Sequence, residues 1–243
     1  MRQYVLTRSA FGLGWDPAAS RRRLEITRAV TARLMTRQTV TDWSWVVLLD
    51  SRDPYLDLRY AVYRDSAPNF LPIVWAPPEE RRSSRDARIL QRIAAADYKA
   101  PWRSVIPSDE PAIMTRLDDD DGLAPDALAR YAAAAEGLTV PTALMLPQGI
   151  RVWRGRYIEV RHEQNAMHAL VTPAGSTMCV YDYGHTKLRS HVPVKMLDNA
   201  PGWLWVRHVD TISGWRRAEK PITAEVRAMF PADWAALDRA WRP

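Results

Sequence analysis

Cysteine is nearly missing from this chain: Cys179 stands alone among 243 residues. One thiol closes no internal disulfide, and it excludes a zinc site built on two cysteines of the same chain. A reducing compartment fits that usage. No apolar run approaches the roughly 18–20 residues that a bilayer span requires. The opening Met1-Arg2-Gln3-Tyr4-Val5-Leu6 meets Thr7-Arg8-Ser9 too early for the apolar core of a signal peptide. It reads as a first strand, and the expected location is the cytoplasm. Internal repeats and low-complexity linkers are also lacking. So are the Walker A loop, the GxGxxG turn, the GxSxG elbow and the HExxH helix.

What is present is ordinary in bulk, with 47% hydrophobic and 26% charged residues, as in soluble globular proteins. The length suits one large domain, or one domain with a C-terminal extension, and can bury a core without staples. The net charge is +6 and the pI about 9.7, from arginines spread as Arg21-Arg22-Arg23, Arg81-Arg82 and Arg216-Arg217. Nucleotide diphosphates, anionic membranes and nucleic acids would all be attracted, although a solvated arginine-rich surface gives the same numbers. Eleven tryptophans are present. Core packing accounts for most, with room for one or two sugar-stacking platforms.

Strand-like and helix-like segments alternate, which predicts α/β with a largely parallel sheet. Gln3–Arg8, Trp43–Asp50, Leu71–Ala76 and Ala112–Leu117 read as strands. Asp16-Pro17 opens a helix whose apolar stripe runs on to Gln38. Pro54–Arg64 favours helix, Ser83–Asp97 is a capped helix, and Pro101–Pro111 reads as a loop. Pro125 opens another helix that ends at Gly137. Beyond it come the strands Thr142–Leu146, Arg151–Trp153, Arg156–Val160 and Trp203–His208, with Arg154-Gly155 as a hairpin turn. Two short helices close the chain. Residues 1–137 read as a nucleotide-binding α/β half. Residues 138–243 read as an acceptor-side half of mixed β structure, continuous with the first.

The most informative run is Leu117-Asp118-Asp119-Asp120-Asp121-Gly122. Four adjacent carboxylates repel one another and are disfavoured inside a helix or strand. At the end of a buried parallel strand they stand where open α/β sheets hold ligands. Extended geometry would turn Asp118 and Asp120 to one side, Asp119 and Asp121 to the other. One such pair suits Mg²⁺ or Mn²⁺, which takes a few carboxylates plus water and phosphate oxygens. A solvated acidic turn is the plain alternative. Two other chemistries also remain open on these residues, a metal-dependent nuclease or phosphoesterase and a Ca²⁺-binding module.

Thr115-Arg116-Leu117-Asp118-Asp119-Asp120-Asp121 resembles the rhamnosyltransferase family of the GT-A superfamily, in which an arginine stands two residues before an acidic run. The segment Arg21–Gln38 with Thr41–Asp50 is similar to its early helix and second strand. Pro201–His208 and His185-Thr186-Lys187 are similar to its late tryptophan/histidine strand and histidine turn. The resemblance spans about Tyr4 to Trp215. It departs after His208, where Val209-Asp210-Thr211-Ile212-Ser213 replaces an asparagine-rich segment. It implies a GT-A-like three-layer α/β/α sandwich with a mixed, mainly parallel central sheet. It also implies a nucleotide-diphosphate sugar donor and a divalent metal. Asp118 would lie near the ribose or metal, Asp120 would be the main metal ligand, and a late histidine, His208 ahead of His185, would complete the set. The implied acceptor is a glycan or lipid-linked sugar, with nucleic acid less favoured.

Other groups fit around that frame. Arg8 and Asp50 close two strands where a nucleotide can rest. Asp119 and Arg116 are donor contacts, Arg116 also serving to lock the aspartates. His185 and Lys187 suit a phosphate. An inverting transfer needs a carboxylate base, and Glu163 and Asp182 are the candidates, whereas a retaining one needs none. Surface salt bridges are the alternative for each.

Overall fold

A computed structural model describes residues 1–9, 16–75, 99–153, 156–207 and 220–240. The apolar runs of the first half form four strands: β1 (Arg2–Ser9), β2 (Trp43–Asp50), β3 (Asn69–Trp75) and β4 (Ala112–Arg116). β1 pairs in parallel with β2 on one side and β4 on the other, and β3 extends β2 in parallel. After the short β5 (Gly122–Leu123) come β6 (Thr142–Met145), β7 (Gln148–Trp153), β8 (Arg156–Arg161) and β9 (His168–Thr172). β10 (Val194–Met196), β11 (Trp203–Arg207) and β12 (Lys220–Pro221) complete the strands. The large sheet runs β10-β6-β9-β4-β1-β2-β3, and the small one β12-β8-β7-β11-β5. β9 is antiparallel to both β4 and β6, so the large sheet is mixed but mainly parallel.

Asp16 caps α1 (Pro17–Ile26), its carboxylate accepting the Ala19 N–H at 3.0 Å, with Pro17 at the first helical position. The helix continues through a π-helical stretch, Thr27–Ala32, into α2 (Arg33–Met35). α3 (Leu56–Arg64), α4 (Lys99–Val105), α5 (Ala127–Ala135), the 3₁₀ helix His185–Ser190, α6 (Ala224–Ala228) and α7 (Trp234–Ala240) follow. One face of the large sheet (Val5, Trp45, Val47, Ile113) shares a core with the α1–α2 helix, α5 and the small sheet. The other face (Leu6, Val46, Leu48, Met114) is covered by Trp102 of α4 and by Cys179, Val180 and Leu188. The result is the expected α/β architecture, a mainly parallel central sheet between two covering layers.

Some expectations change and others go untouched. Pro101–Pro111 is not all loop, because α4 reaches Val105. Pro101 falls in its first turn, where a missing N–H removes no helical bond, and Trp102 is fully buried there. β9 had no counterpart in the sequence reading. The Ser83–Asp97 helix, the Arg154-Gly155 turn and His208 lie outside the described residues.

The small sheet leaves no slack at Gly149. A Cβ there would stand 2.0 Å from Trp203 Cδ2 and 2.3 Å from Cε2 and Cε3. The indole is fully buried and its Nε1 donates to the Leu146 carbonyl at 2.8 Å, so it cannot swing aside. Gly149→Ala is expected to cost about 3 kcal/mol, the upper end for overpacking. Urea denaturation checks this, and an unchanged midpoint would contradict the packing described.

Candidate active site

Three neighbouring strands of the large sheet, β2, β1 and β4, end side by side because they run parallel. Their carboxyl ends carry Asp50, then Arg8 and Ser9, then Arg116 and the acidic run. That run also carries the chain from β4 in the large sheet to β5 in the small one.

The run is a turn, not extended chain. The Asp121 N–H donates to the Asp118 carbonyl at 3.1 Å. The expected alternation of Asp118 and Asp120 against Asp119 and Asp121 is therefore wrong. Repulsion among four carboxylates is relieved by partners drawn from several elements, with Arg23 shared between two of them. Asp119 points inward and is fully buried; it accepts Arg23 Nε at 2.7 Å and Ser9 Oγ at 3.4 Å, with Arg59 Nη1 at 3.6 Å. Asp120 accepts Arg23 Nη2 at 2.9 Å. Asp121 accepts the Val206 N–H at 3.0 Å, which ties the turn to β11. The Asp119 carbonyl takes the Thr31 hydroxyl at 2.9 Å and lies 2.8 Å from that of Thr27, so the π-helical stretch backs the turn. Such widened helical turns gather at functional sites.

Asp118 is the most open of the four. Its side chain is 24% exposed, against 0% for Asp119 and 6% for Asp120. Arg8 Nη2 approaches one oxygen at 3.5 Å and Arg116 Nη2 the other at 3.4 Å. Burial pulls Asp118 toward protonation, but Arg116, Arg8 and Arg23 outweigh it and hold it well below the usual carboxylate range. Asp121 moves the opposite way: burial, then the negative charge of Asp120 and Asp118, push it well above that range. Burial favours a neutral Arg23, yet Asp119 and Asp120 reverse this and keep its charge.

The donor set suits a hard divalent ion. Asp118 and Asp120 offer carboxylate oxygens. Among the described residues no group of three or more His, Cys, Asp or Glu side chains forms a ready cage. Mg²⁺ needs none, since it binds through one or two carboxylates plus waters and substrate phosphates.

The remaining candidates fall at different distances from this centre. His185 opens the 3₁₀ helix; burial, then Arg116 and His162, push it down to about 4, against an upward pull from Asp118. It thus belongs to the Asp118–Arg116 neighbourhood. Lys187 is exposed on the same turn. Asp50 is buried and accepts the Arg52 N–H at 3.0 Å and its guanidinium at 3.1 Å. Asp182 braces a loop, taking the Cys179 N–H at 2.8 Å and Arg103 Nη2 at 3.2 Å. Glu163 is exposed and paired with Arg161 at 3.0 Å and Arg189 at 3.5 Å. The sequence reading passed over Arg23, Arg59 and Tyr181. A polar helical stripe, Ser20, Arg23, Thr27 and Thr31, was the available signal for the first of these.

The family described as "Putative rhamnosyl transferase" matches residues 12–220. Among solved structures, S. aureus TarS 1-349 in complex with UDP is similar at a TM-score of 0.52 and 12% identity, over 86% of this chain and 61% of that one. A second structure of S. aureus TarS 1-349 gives 0.48 and 11%, over 85% and 60%. Mouse xyloside xylosyltransferase 1, apo form, gives 0.44 and 8%, over 81% and 84%. The first establishes a shared fold, and nothing rests on the other two. This chain spans only 60–61% of the length of the TarS chains. No curated protein matches it. Among the described residues no helix is long and apolar enough to cross a membrane.

Proposed function

The chain belongs to the rhamnosyl transferase family, and on that premise we propose that it moves a sugar from a nucleoside diphosphate donor to a hydroxyl acceptor. Rhamnose is the sugar the family suggests, and a glycan or lipid-linked sugar the acceptor. The observation that carries this reading is the half-open Asp118 carboxylate set between Arg8 and Arg116, at the carboxyl ends of adjacent parallel strands. Open α/β sheets hold nucleotides there.

Asp118 and Asp120 are the side chains that would hold Mg²⁺ or Mn²⁺, with His208 offered by the sequence as a further ligand. Such an ion supplies charge neutralisation to a departing diphosphate. Arg8 and Arg116 give that diphosphate two guanidinium groups, and Lys187 adds a cation at the exposed edge. His185 stays neutral at pH 7, so it can bond to a phosphate or sugar oxygen without adding charge. Asp50 and Asp119 shape the nucleotide side, Asp119 by fixing the turn through Arg23 and Ser9. Should the anomeric configuration invert, a carboxylate must take the acceptor proton. Glu163, with exposed oxygens, suits that better than Asp182, whose oxygens brace a loop.

The test is isothermal titration of UDP, GDP, dTDP and CMP, with and without Mn²⁺. UDP comes first because a fold neighbour was solved with it. One diphosphate should bind in an Mn²⁺-dependent way. Asp118→Asn and Asp120→Asn should each weaken it at least about 100-fold, since even partners behind a metal ligand cost about 10–100-fold. A folded protein that binds no diphosphate overturns the reading and turns attention to phosphodiester cleavage.

A further inference from the structure

Tyr181 lies where three charged groups of the donor site meet. The guanidinium carbons of Arg8 and Arg116 lie 5.0 Å and 5.1 Å from its ring centroid. Trp102, fully buried, stacks on the ring at 5.4 Å and 15°. The Tyr181 hydroxyl donates to the Leu6 carbonyl at 3.1 Å, in the same strand that carries Arg8. The ring is thus fixed from below by an indole and at its rim by β1.

Two guanidinium groups over one ring repel each other. Asp118 lies against both, 3.5 Å from Arg8 Nη2 and 3.4 Å from Arg116 Nη2. The electron-rich ring face attracts both cations without consuming an N–H. The buried Nε of Arg116 has no hydrogen-bond partner among the described residues. Two guanidinium forks held on one ring match two linked phosphates better than one.

We propose that Tyr181 is a positioning residue that holds Arg8 and Arg116 as a paired clamp for the diphosphate of the nucleotide donor. This rests on the donor-site reading above. Leu6, Trp102 and Tyr181 act through the arginines and touch no substrate themselves.

The experiment titrates the nucleoside diphosphate that binds the wild type, and its parent nucleoside, into Tyr181→Phe and Tyr181→Leu with Mn²⁺ present. Tyr181→Phe keeps the ring face and should stay within about twofold of wild type, while Tyr181→Leu should weaken the diphosphate about tenfold. The nucleoside should bind both alike. Equal weakening of both ligands, or an unchanged diphosphate in Tyr181→Leu, overturns the clamp. If the leucine variant does not fold, a ring-fluorinated phenylalanine at position 181 keeps the shape and removes the negative face. It should show the same loss relative to Tyr181→Phe, and matching affinities overturn the clamp. Wild-type protein that binds no diphosphate removes the donor-site reading itself, and the clamp with it, before any variant is made.

Discussion

Arg59→Met should lower the free energy of unfolding by about 3–5 kcal/mol, the usual cost of stripping one partner from a buried ion pair. Arg59 is fully buried on α3. Its Nε pairs with Asp53, Nη2 donates to the Ser20 carbonyl at 2.6 Å and hydroxyl at 3.0 Å, and Nη1 reaches Ser9 Oγ at 3.4 Å. Methionine fills the volume but leaves Asp53 and Asp119 short of a cation where water cannot reach them. For a chain of this length the melting temperature should drop by about 6–20 °C. The double variant Arg59→Met, Asp53→Leu should recover part of the loss, because an apolar pair carries no stranded charge. A loss under about 1 kcal/mol in the single variant would mean that the cluster contributes little.

Between pH 7 and pH 5 the wild type should lose about 2 kcal/mol more stability than His168→Leu. His168 is fully buried. Burial first, then the charges of Arg116 and His185, push it down to about 3, against a pull from the carbonyls of Asn165 and Ala166. The unfolded chain takes up this proton near pH 6.5 and the folded chain only near pH 3, so the unfolded state binds more protons in between. The contribution is therefore complete above pH 6.5 and shrinks as pH falls, by up to about 1.4 kcal/mol per unit. The other titratable groups are present in both proteins and cancel from the difference. Urea unfolding at the two pH values gives the answer, and equal losses would refute a buried, neutral His168.

The parallel core was legible because buried strands read as unbroken apolar runs, and Trp43–Asp50 matched β2 residue for residue. The acid run was found because four carboxylates after such a strand have no comfortable structural explanation. Their conformation was not legible. Alternation assumes that the strand continues, whereas the turn depends on cations from distant segments: Arg23 on α1, Arg59 on α3 and Arg8 on β1. Arg23 looked like one third of a surface basic run until the helix turned it toward Asp119. β9 escaped because five residues, all buried, carry no alternation and are bounded by no strong turn signal on their N-terminal side. Tyr181 carried no signal of its own beside the candidate Asp182, and its partners lie more than sixty residues away in sequence.

β4 ends at Arg116 and β5 begins at Gly122, so only residues 117–121 join the two sheets there. Asp121 is bonded to β11, and Asp119 to α1. A force that parts the sheets is therefore borne in part by the carboxylates themselves, as it is by Leu146-Pro147 between β6 and β7. The site is also a mechanical joint. The spacing of its oxygens is set by how rigidly two separate sheets are seated, and a ligand spanning them would work as a rivet.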